Sequence, residues 1–216
     1  MNNYRYIAIE GNIGAGKTSL SKRIASDWSA RLILEEFADN PFLPKFYEQP
    51  ERYAFPLELS FLSERFSQLK QEMQLNDLFS PKVVGDYMIN KCQLFAKNNL
   101  QPDEYELFIK VFQMVEPSLP KPDLLVYLYL PVEQLLSNIK KRGREYEQKI
   151  TSDYLEGIQQ QYLTFIRQHP SMRVVVIETS SLDFVSNDQD YIYIKNLLEN
   201  SYPKGITRIT AENVVG

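Results

Sequence analysis

The sequence predicts an α/β fold with a parallel sheet and helices on both of its faces. Short β-rich runs alternate with helical stretches along the chain, an order typical of parallel sheets with crossover helices. The runs are almost continuously apolar, as expected of strands that are covered on both sides. Ligands bind such sheets at the carboxyl ends of the strands. We therefore expect the functional residues to follow the strands.

Five strands are predicted, over residues 4–10, 31–35, 82–86, 123–130 and 172–178. Helices are predicted over residues 17–28, 53–75, 103–116, 132–141, 151–168 and 191–200. Pro56 is tolerable in the second helix only because it would lie in the first turn. No repeat or linker divides the 216 residues, so residues 1–216 are expected to form one domain.

Composition and charge narrow the range of partners. The net charge of −4 disfavours a nucleic-acid polymer, which calls for a basic face. Cys92 is the only cysteine, so no intrachain disulfide can form. No apolar run approaches the ~20 residues needed to cross a membrane, and the N-terminal apolar run is too short for a signal peptide. We expect a cytoplasmic protein with no membrane partner.

The strongest motif lies between the first strand and the first helix. It has the form GxxxxGKT, in the strand–turn–helix context that a P-loop requires. Glycines let backbone N–H groups point at phosphate oxygens, and the helix adds its positive end. The lysine is expected to reach the β- and γ-phosphates of ATP and the threonine to bind Mg²⁺. The loop consists of Gly11, Asn12, Ile13, Gly14, Ala15, Gly16, Lys17 and Thr18.

A second basic cluster follows the predicted helix over residues 132–141. Arg142 and Arg144 flank a glycine and precede Glu147. Two arginines on a mobile loop could close over a transferring phosphoryl group and stabilise its charge. The alternative is a solvated charge run at a helix end, where cations are favourable in any case. With a P-loop in the same chain, we interpret residues 142–149 as a short lid.

Together these residues resemble the deoxynucleoside kinase family. IEGNIGAGKT is similar to the family's phosphate loop, RGREYEQ to its lid, and TSSLDFV to the loop that wraps the adenine of ATP. The resemblance implies a P-loop NTPase fold with sheet order 2-3-1-4-5, a homodimer built by helix packing, and ATP with Mg²⁺. It places Asp183 and Phe184 at the adenine.

The resemblance also implies roles for residues of the acceptor site. Glu35 falls at the position of the general base for the 5′-hydroxyl, although the adjacent Glu36 is an open alternative. Tyr47 and Glu147 match positions that hold the sugar 3′-hydroxyl. Arg65 matches an arginine on the base side of the pocket.

Three positions depart from the family pattern. The third strand ends in Asp86-Tyr87-Met88 where the family has Asp/Glu-Arg-Ser. Asp86 keeps the carboxylate for the magnesium site, but the arginine is missing. Cys92 replaces an acid, and an ordinary small buried residue is the expected role there. Glu58 replaces a base-reading glutamine. Since an ionised carboxylate only accepts hydrogen bonds, it suits guanine's neighbouring donors, provided that Arg65 keeps it ionised.

The sequence thus predicts a kinase that transfers the ATP γ-phosphate to the 5′-hydroxyl of a deoxynucleoside, with a purine favoured and deoxyguanosine first. Two alternatives remain open. A thymidylate-kinase-like enzyme would need cations for an acceptor phosphate, and residues 35–65 offer few. The missing arginine after Asp86 would also suit a nucleotide-binding partner subunit with little or no activity.

Overall fold

The structure is a computed structural model that describes residues 4–35, 40–74 and 82–210. Glu36, the alternative general base, lies outside the described residues, as does residue 75 at the predicted end of the second helix. Every other candidate site residue lies within the described nine-tenths of the chain.

Six strands form one sheet. They are β1 (Tyr6–Gly11), β2 (Arg31–Ile33), β3 (Val83–Gly85), β4 (Leu124–Tyr129), β5 (Arg173–Glu178) and β6 (Gly205–Ile209). Their order is β2-β3-β1-β4-β5-β6, and all neighbours pair in parallel. The predicted order of the first five strands is confirmed. The predicted number of five strands is wrong, because the sheet has six. β6 is an edge strand with alternating exposure, so it lacks the continuous apolar run that marked the others.

Eight helices accompany the sheet in the described part of the chain. They are α1 (Lys17–Asp27), α2 (Leu43–Glu48), α3 (Pro50–Gln74), α4 (Lys91–Asn99), α5 (Pro102–Val115), α6 (Val132–Arg142), α7 (Ser152–Gln168) and α8 (Asp188–Leu198). Short 3-10 helices span Glu116–Ser118 and Glu145–Lys149. The sequence predictions missed α2 and α4. Because α3 begins at Pro50, Pro56 lies in its second turn and not in the first.

The core consists of two apolar layers, one on each face of the sheet. Alternate residues of β4 show this: Leu125 and Tyr127 join one layer, and Val126 joins the other. The layer of Tyr127 includes residues of α3, α4, α5 and α7, whereas the layer of Val126 includes residues of α1, α6 and α8. Both faces of the sheet are therefore covered by helices, as predicted.

Parallel pairing brings the carboxyl ends of β1, β2 and β3 to one edge of the sheet, where α1 begins. A small third apolar cluster packs α2 against α3 beside this edge. Among the described residues, no helix is both long and apolar enough to cross a membrane.

Candidate active site

The phosphate loop connects β1 to α1 as predicted. Gly16 has a φ of 84°, in the left-handed region that favours glycine, and a Cβ there would lie 2.7 Å from the Phe184 ring. The Asn12 side chain braces the loop: its amide N–H donates to the Leu155 carbonyl at 2.8 Å, and its Oδ1 accepts from the Ile13 N–H at 2.9 Å. The loop therefore offers backbone N–H groups and the positive end of α1 to an anion.

Lys17 folds back over this loop. Its Nζ donates to the carbonyl oxygens of Gly11 at 2.9 Å and Asn12 at 3.0 Å. Burial, reinforced by the charge of Lys91, lowers the pKa of Lys17 to about 8. A phosphate group would restore the favoured charged state of this ammonium.

Asp86 links the phosphate loop to the end of β2. Its Oδ2 accepts a hydrogen bond from the Thr18 hydroxyl at 2.6 Å, and its Oδ1 accepts one from the Glu35 N–H at 2.7 Å. In the described part of the chain, no three His, Cys, Asp or Glu side chains cluster as a metal site. Mg²⁺ needs only one or two protein oxygens beside phosphate and water, so the Thr18–Asp86 pair fits this ion.

Glu35 lies at the centre of the acceptor site. The Arg65 guanidinium donates to its Oε1 and the Lys91 ammonium to its Oε2. Burial by itself would raise the pKa of Glu35, but the charges of Lys91 and Arg65 outweigh it and hold the pKa well below its ordinary value. The carboxylate is therefore ionised and fixed in place by two cations.

Glu58 projects from α3 into the same cavity and is 1% exposed. Its Oε1 accepts from the Asn99 amide at 2.7 Å, whereas its buried Oε2 has no hydrogen-bond partner among the described residues. Burial, opposed by the charge of Arg65, raises the pKa of Glu58 to about 7. The charge of Arg65 favours the ionised form of Glu58, as expected, but burial outweighs it, and the guanidinium itself donates to Glu35 and Cys92.

Tyr47 and Glu147 close the cavity from the side of α2. The Tyr47 ring stacks on that of Tyr146, with centroids 6.2 Å apart and an angle of 17° between the planes. Glu147 is 5% exposed and follows the end of α6 within the 3-10 helix. Both residues line the cavity that holds Glu35 and Glu58, so the structure brings the predicted sugar-binding pair and the predicted base into one cavity.

The lid arginines are paired with Glu147. Arg142 donates to its Oε2 from Nε at 3.0 Å and Nη2 at 2.6 Å, and Arg144 donates to its Oε1 at 3.1 Å. The two arginines line both the acceptor cavity and a second cavity beside the phosphate loop. The two arginines therefore lie where the two cavities meet. This placement argues against a charge run that contacts only solvent.

The second cavity is formed by the phosphate loop and by residues 179–186. Asp183 and Phe184 both line it. The Phe184 carbonyl accepts from Arg23 at 3.1 Å, and the Asp183 N–H donates to Asp190 at 2.7 Å. The predicted adenine loop is therefore anchored to α1 and α8 at the side of the phosphate site.

Sequence analysis missed two residues of the acceptor cavity, Lys91 and Asn99. Both belong to α4, which was not predicted, so nothing in the sequence indicated that they face Glu35 and Glu58. Cys92 is fully buried and accepts from Arg65 at 3.0 Å. Burial raises the pKa of this thiol, which fits the expected small buried residue.

Fold and site together define a P-loop phosphotransferase with a cavity lined by Glu35 and Glu58 beside its phosphate loop. The sequence profile of the family described as deoxynucleoside kinase matches residues 7–202. The chain belongs to this deoxynucleoside kinase family, whose members are ATP-dependent phosphotransferases.

Similar proteins agree with this assignment. The deoxyguanosine kinase of Bacillus subtilis is 37% identical over 88% of this chain and 94% of its own length. The deoxyadenosine kinase of Lactobacillus acidophilus is 31% identical over 84% and 88%. A solved structure of the deoxyadenosine kinase from M. mycoides with bound dATP superposes with a TM-score of 0.78 at 26% identity, covering 91% of this chain and 100% of that chain.

Proposed function

We propose that this kinase transfers the γ-phosphoryl group of ATP to the 5′-hydroxyl of a purine deoxynucleoside. The observation that carries the proposal is the arrangement around Asp86, which accepts from both the P-loop Thr18 and the backbone of Glu35. This arrangement keeps the phosphate site and a carboxylate in the acceptor pocket within two hydrogen bonds of each other. Such proximity is what direct transfer between bound substrates requires.

In the proposed reaction, Glu35 orients the 5′-hydroxyl and accepts its proton as the oxygen attacks the γ-phosphorus. The new O–P bond forms while the bond to the leaving ADP oxygen breaks, and the bonding electron pair leaves with ADP. Because the pKa of Glu35 is low, its chief contribution is orientation, which suits a loose transition state in which the proton moves late. Thr18 and Asp86 would hold Mg²⁺, which neutralises phosphate charge.

Cations on the other side would stabilise the transferring group. Lys17, which is held over the phosphate loop, would reach the β- and γ-phosphates, and Arg142 and Arg144 line both cavities. Their interactions with the phosphoryl oxygens are expected to strengthen as charge spreads in the transition state. Glu147, released from them, would join Tyr47 at the sugar 3′-hydroxyl.

The base is proposed to meet Glu58, Asn99 and Arg65. When ionised, Glu58 can accept from guanine N1–H and the N2 amine together, which favours deoxyguanosine. When protonated, it can donate to adenine N1 and accept from the N6 amine, which favours deoxyadenosine. The raised pKa of Glu58 makes both forms accessible near neutral pH. The similarity to a deoxyguanosine kinase at 37% identity supports deoxyguanosine as the first choice.

We also propose that the enzyme is a homodimer. Helix α5 presents Leu107 and Met114 to the surface, with exposures of 52% and 81%. Large apolar side chains on one helix of a layered fold are typical of an interface with a second copy.

The experiment that tests the proposed reaction is a substrate panel. The purified chain is incubated with ATP, Mg²⁺ and each of the four deoxynucleosides, and ADP and 5′-monophosphate are quantified, with Lys17→Met as the inactive control. Equal amounts of both products with a purine are expected. ADP formation that does not depend on an acceptor, or reaction with a pyrimidine deoxynucleoside alone, would contradict the proposal.

A further inference from the structure

Lys91 is a buried cation of the acceptor site that the sequence analysis did not identify. It is the first residue of α4, is 5% exposed and lines the cavity that contains Glu35 and Glu58. Its ammonium contacts Oε2 of Glu35, the oxygen that Arg65 leaves open. The site thus gains a second positive charge beside the proposed base.

The end of β3 does not provide such a charge. Asp86 is followed by Tyr87, whose side chain is fully buried and donates its hydroxyl to Gln68 on α3. Tyr87 does not line the acceptor cavity. The cation near the strand end therefore comes from α4, five residues after Asp86.

Lys17, Arg65 and Lys91 converge on the region around Glu35, the carboxylate that two of them share. Two more carboxylates, Glu10 and Asp86, interact with the charge of Lys17. Burial raises the pKa of Glu10 and so disfavours its charged form. A phosphoryl group that enters this region would therefore meet cations that the carboxylates balance only in part.

The position of Lys91 relative to the two substrates indicates which anion its ammonium would contact. A general base lies roughly 2.6–3.2 Å from the hydroxyl on which it acts. Since the Lys91 ammonium contacts Oε2 of this carboxylate, a hydroxyl bound at the same oxygen would lie within roughly 6 Å of the ammonium. Lys91 also lines the same cavity as Lys17, the residue proposed to reach the β- and γ-phosphates. Lys91 is thus close to both ends of the transfer.

We propose that Lys91 is a catalytic residue whose ammonium, in the complex with both substrates, contacts the transferring phosphoryl group and the attacking 5′-oxygen. It leaves Glu35 Oε2 free to bind the hydroxyl, and it keeps all of its protons throughout the transfer. The inference rests on the proposed function, because it takes Glu35 as the residue that faces the 5′-hydroxyl.

The test compares Lys91→Met, which keeps the length and removes the charge, with Lys91→Arg, which keeps the charge. Lys97→Met is the matched control, because Lys97 lies on the same helix and is exposed. We expect Lys91→Met to lower kcat by roughly 10²–10³, the usual effect of losing one group that stabilises transition-state charge. The KM values for ATP and deoxynucleoside should change less than fivefold. Lys91→Arg should recover kcat to within tenfold of wild type.

Two results would overturn the inference: a kcat of Lys91→Met within threefold of wild type, or a Lys91→Arg variant as impaired as Lys91→Met. If Lys91→Met does not fold, Lys91→Ala is assayed with added propylammonium. Saturable recovery of kcat supports the inference, and no recovery overturns it. A wild type that phosphorylates none of the four deoxynucleosides would instead contradict the proposed function, so the two failures are distinct.

Discussion

The Thr18 hydroxyl donates a hydrogen bond to the Asp86 carboxylate at 2.6 Å, across 68 residues of sequence. Thr18 lies in the first turn of α1 and Asp86 follows β3, so the contact depends on the parallel pairing of β1 with β3. It brings together two oxygen ligands of the kind that Mg²⁺ prefers. The proposed magnesium site is therefore a product of the sheet order.

Asp86→Asn is predicted to weaken the use of Mg²⁺. The amide keeps the shape of the side chain but removes the charge that the ion needs, so the Mg²⁺ concentration for half-maximal activity should rise at least about tenfold. Activity is measured against Mg²⁺ at fixed ATP. Asp103→Asn on the exposed start of α5 is the control. An unchanged Mg²⁺ requirement would show that Asp86 is only a structural link to Glu35.

Glu35→Gln is predicted to lower kcat by roughly 10²–10⁴, the usual scale for a positioned acid–base group. The amide cannot accept the proton and pairs poorly with Arg65 and Lys91. ATP binding, measured by calorimetry, should persist because the phosphate loop is intact. Glu36→Gln is the control. If Glu35→Gln is nearly as active as wild type while Glu36→Gln is inactive, the general base is Glu36.

Arg142→Ala and Arg144→Ala are each predicted to lower kcat more than they weaken deoxynucleoside binding. These charges meet the phosphoryl group mainly in the transition state, so their loss appears chiefly in turnover. Loss of either arginine also leaves Glu147 with fewer partners, and a smaller rise in KM should accompany it. Lys140→Ala, exposed on the same helix, is the control. Weakened binding with intact turnover would show that the lid arginines do not stabilise the transition state.

The preference between deoxyguanosine and deoxyadenosine is predicted to depend on pH. The pKa of Glu58 is raised to about 7, so the protonated form that suits adenine dominates below this pH and the ionised form that suits guanine dominates above it. The ratio of kcat/KM values for deoxyguanosine over deoxyadenosine should therefore rise roughly tenfold or more from pH 6 to pH 8.

The measurement is direct competition between the two deoxynucleosides across this range. Glu58→Gln cannot ionise and should give a nearly flat ratio, while Glu64→Gln, exposed on the same helix, should behave as wild type. A ratio that falls with pH, or a slope that Glu58→Gln retains, would rule out Glu58 as the group that reads the base.

Met114→Glu is predicted to shift the protein from dimer to monomer. A carboxylate in the centre of an apolar contact is costly to bury, so the dimer should dissociate at micromolar concentration. Sedimentation velocity measures the mass, and Glu106→Gln, exposed on the same helix, is the control. A wild type that sediments as a monomer at all concentrations would contradict the proposed homodimer.

The order of the five predicted strands was implied by the family resemblance, whereas the sequence by itself predicted the phosphate loop, the lid arginines and the five apolar strands. These features depend on local patterns: glycines beside a lysine, continuous apolar runs, and charges at a helix end. Each candidate residue within the described part of the chain lies in one of the two adjoining cavities or supports it. Short-range chemistry was sufficient for these predictions because a parallel sheet brings all its strand ends to the same edge.

Only the tertiary structure decided how the charges pair. α4 has no marked pattern in the sequence, yet it brings Lys91 to Glu35 and Asn99 to Glu58. The sequence predicted an ionised Glu58 beside Arg65, but burial of Glu58 outweighs the charge of that guanidinium and raises the pKa of the carboxyl to about 7. Burial and the choice among competing partners set these charges, and both depend on contacts between residues far apart in the chain.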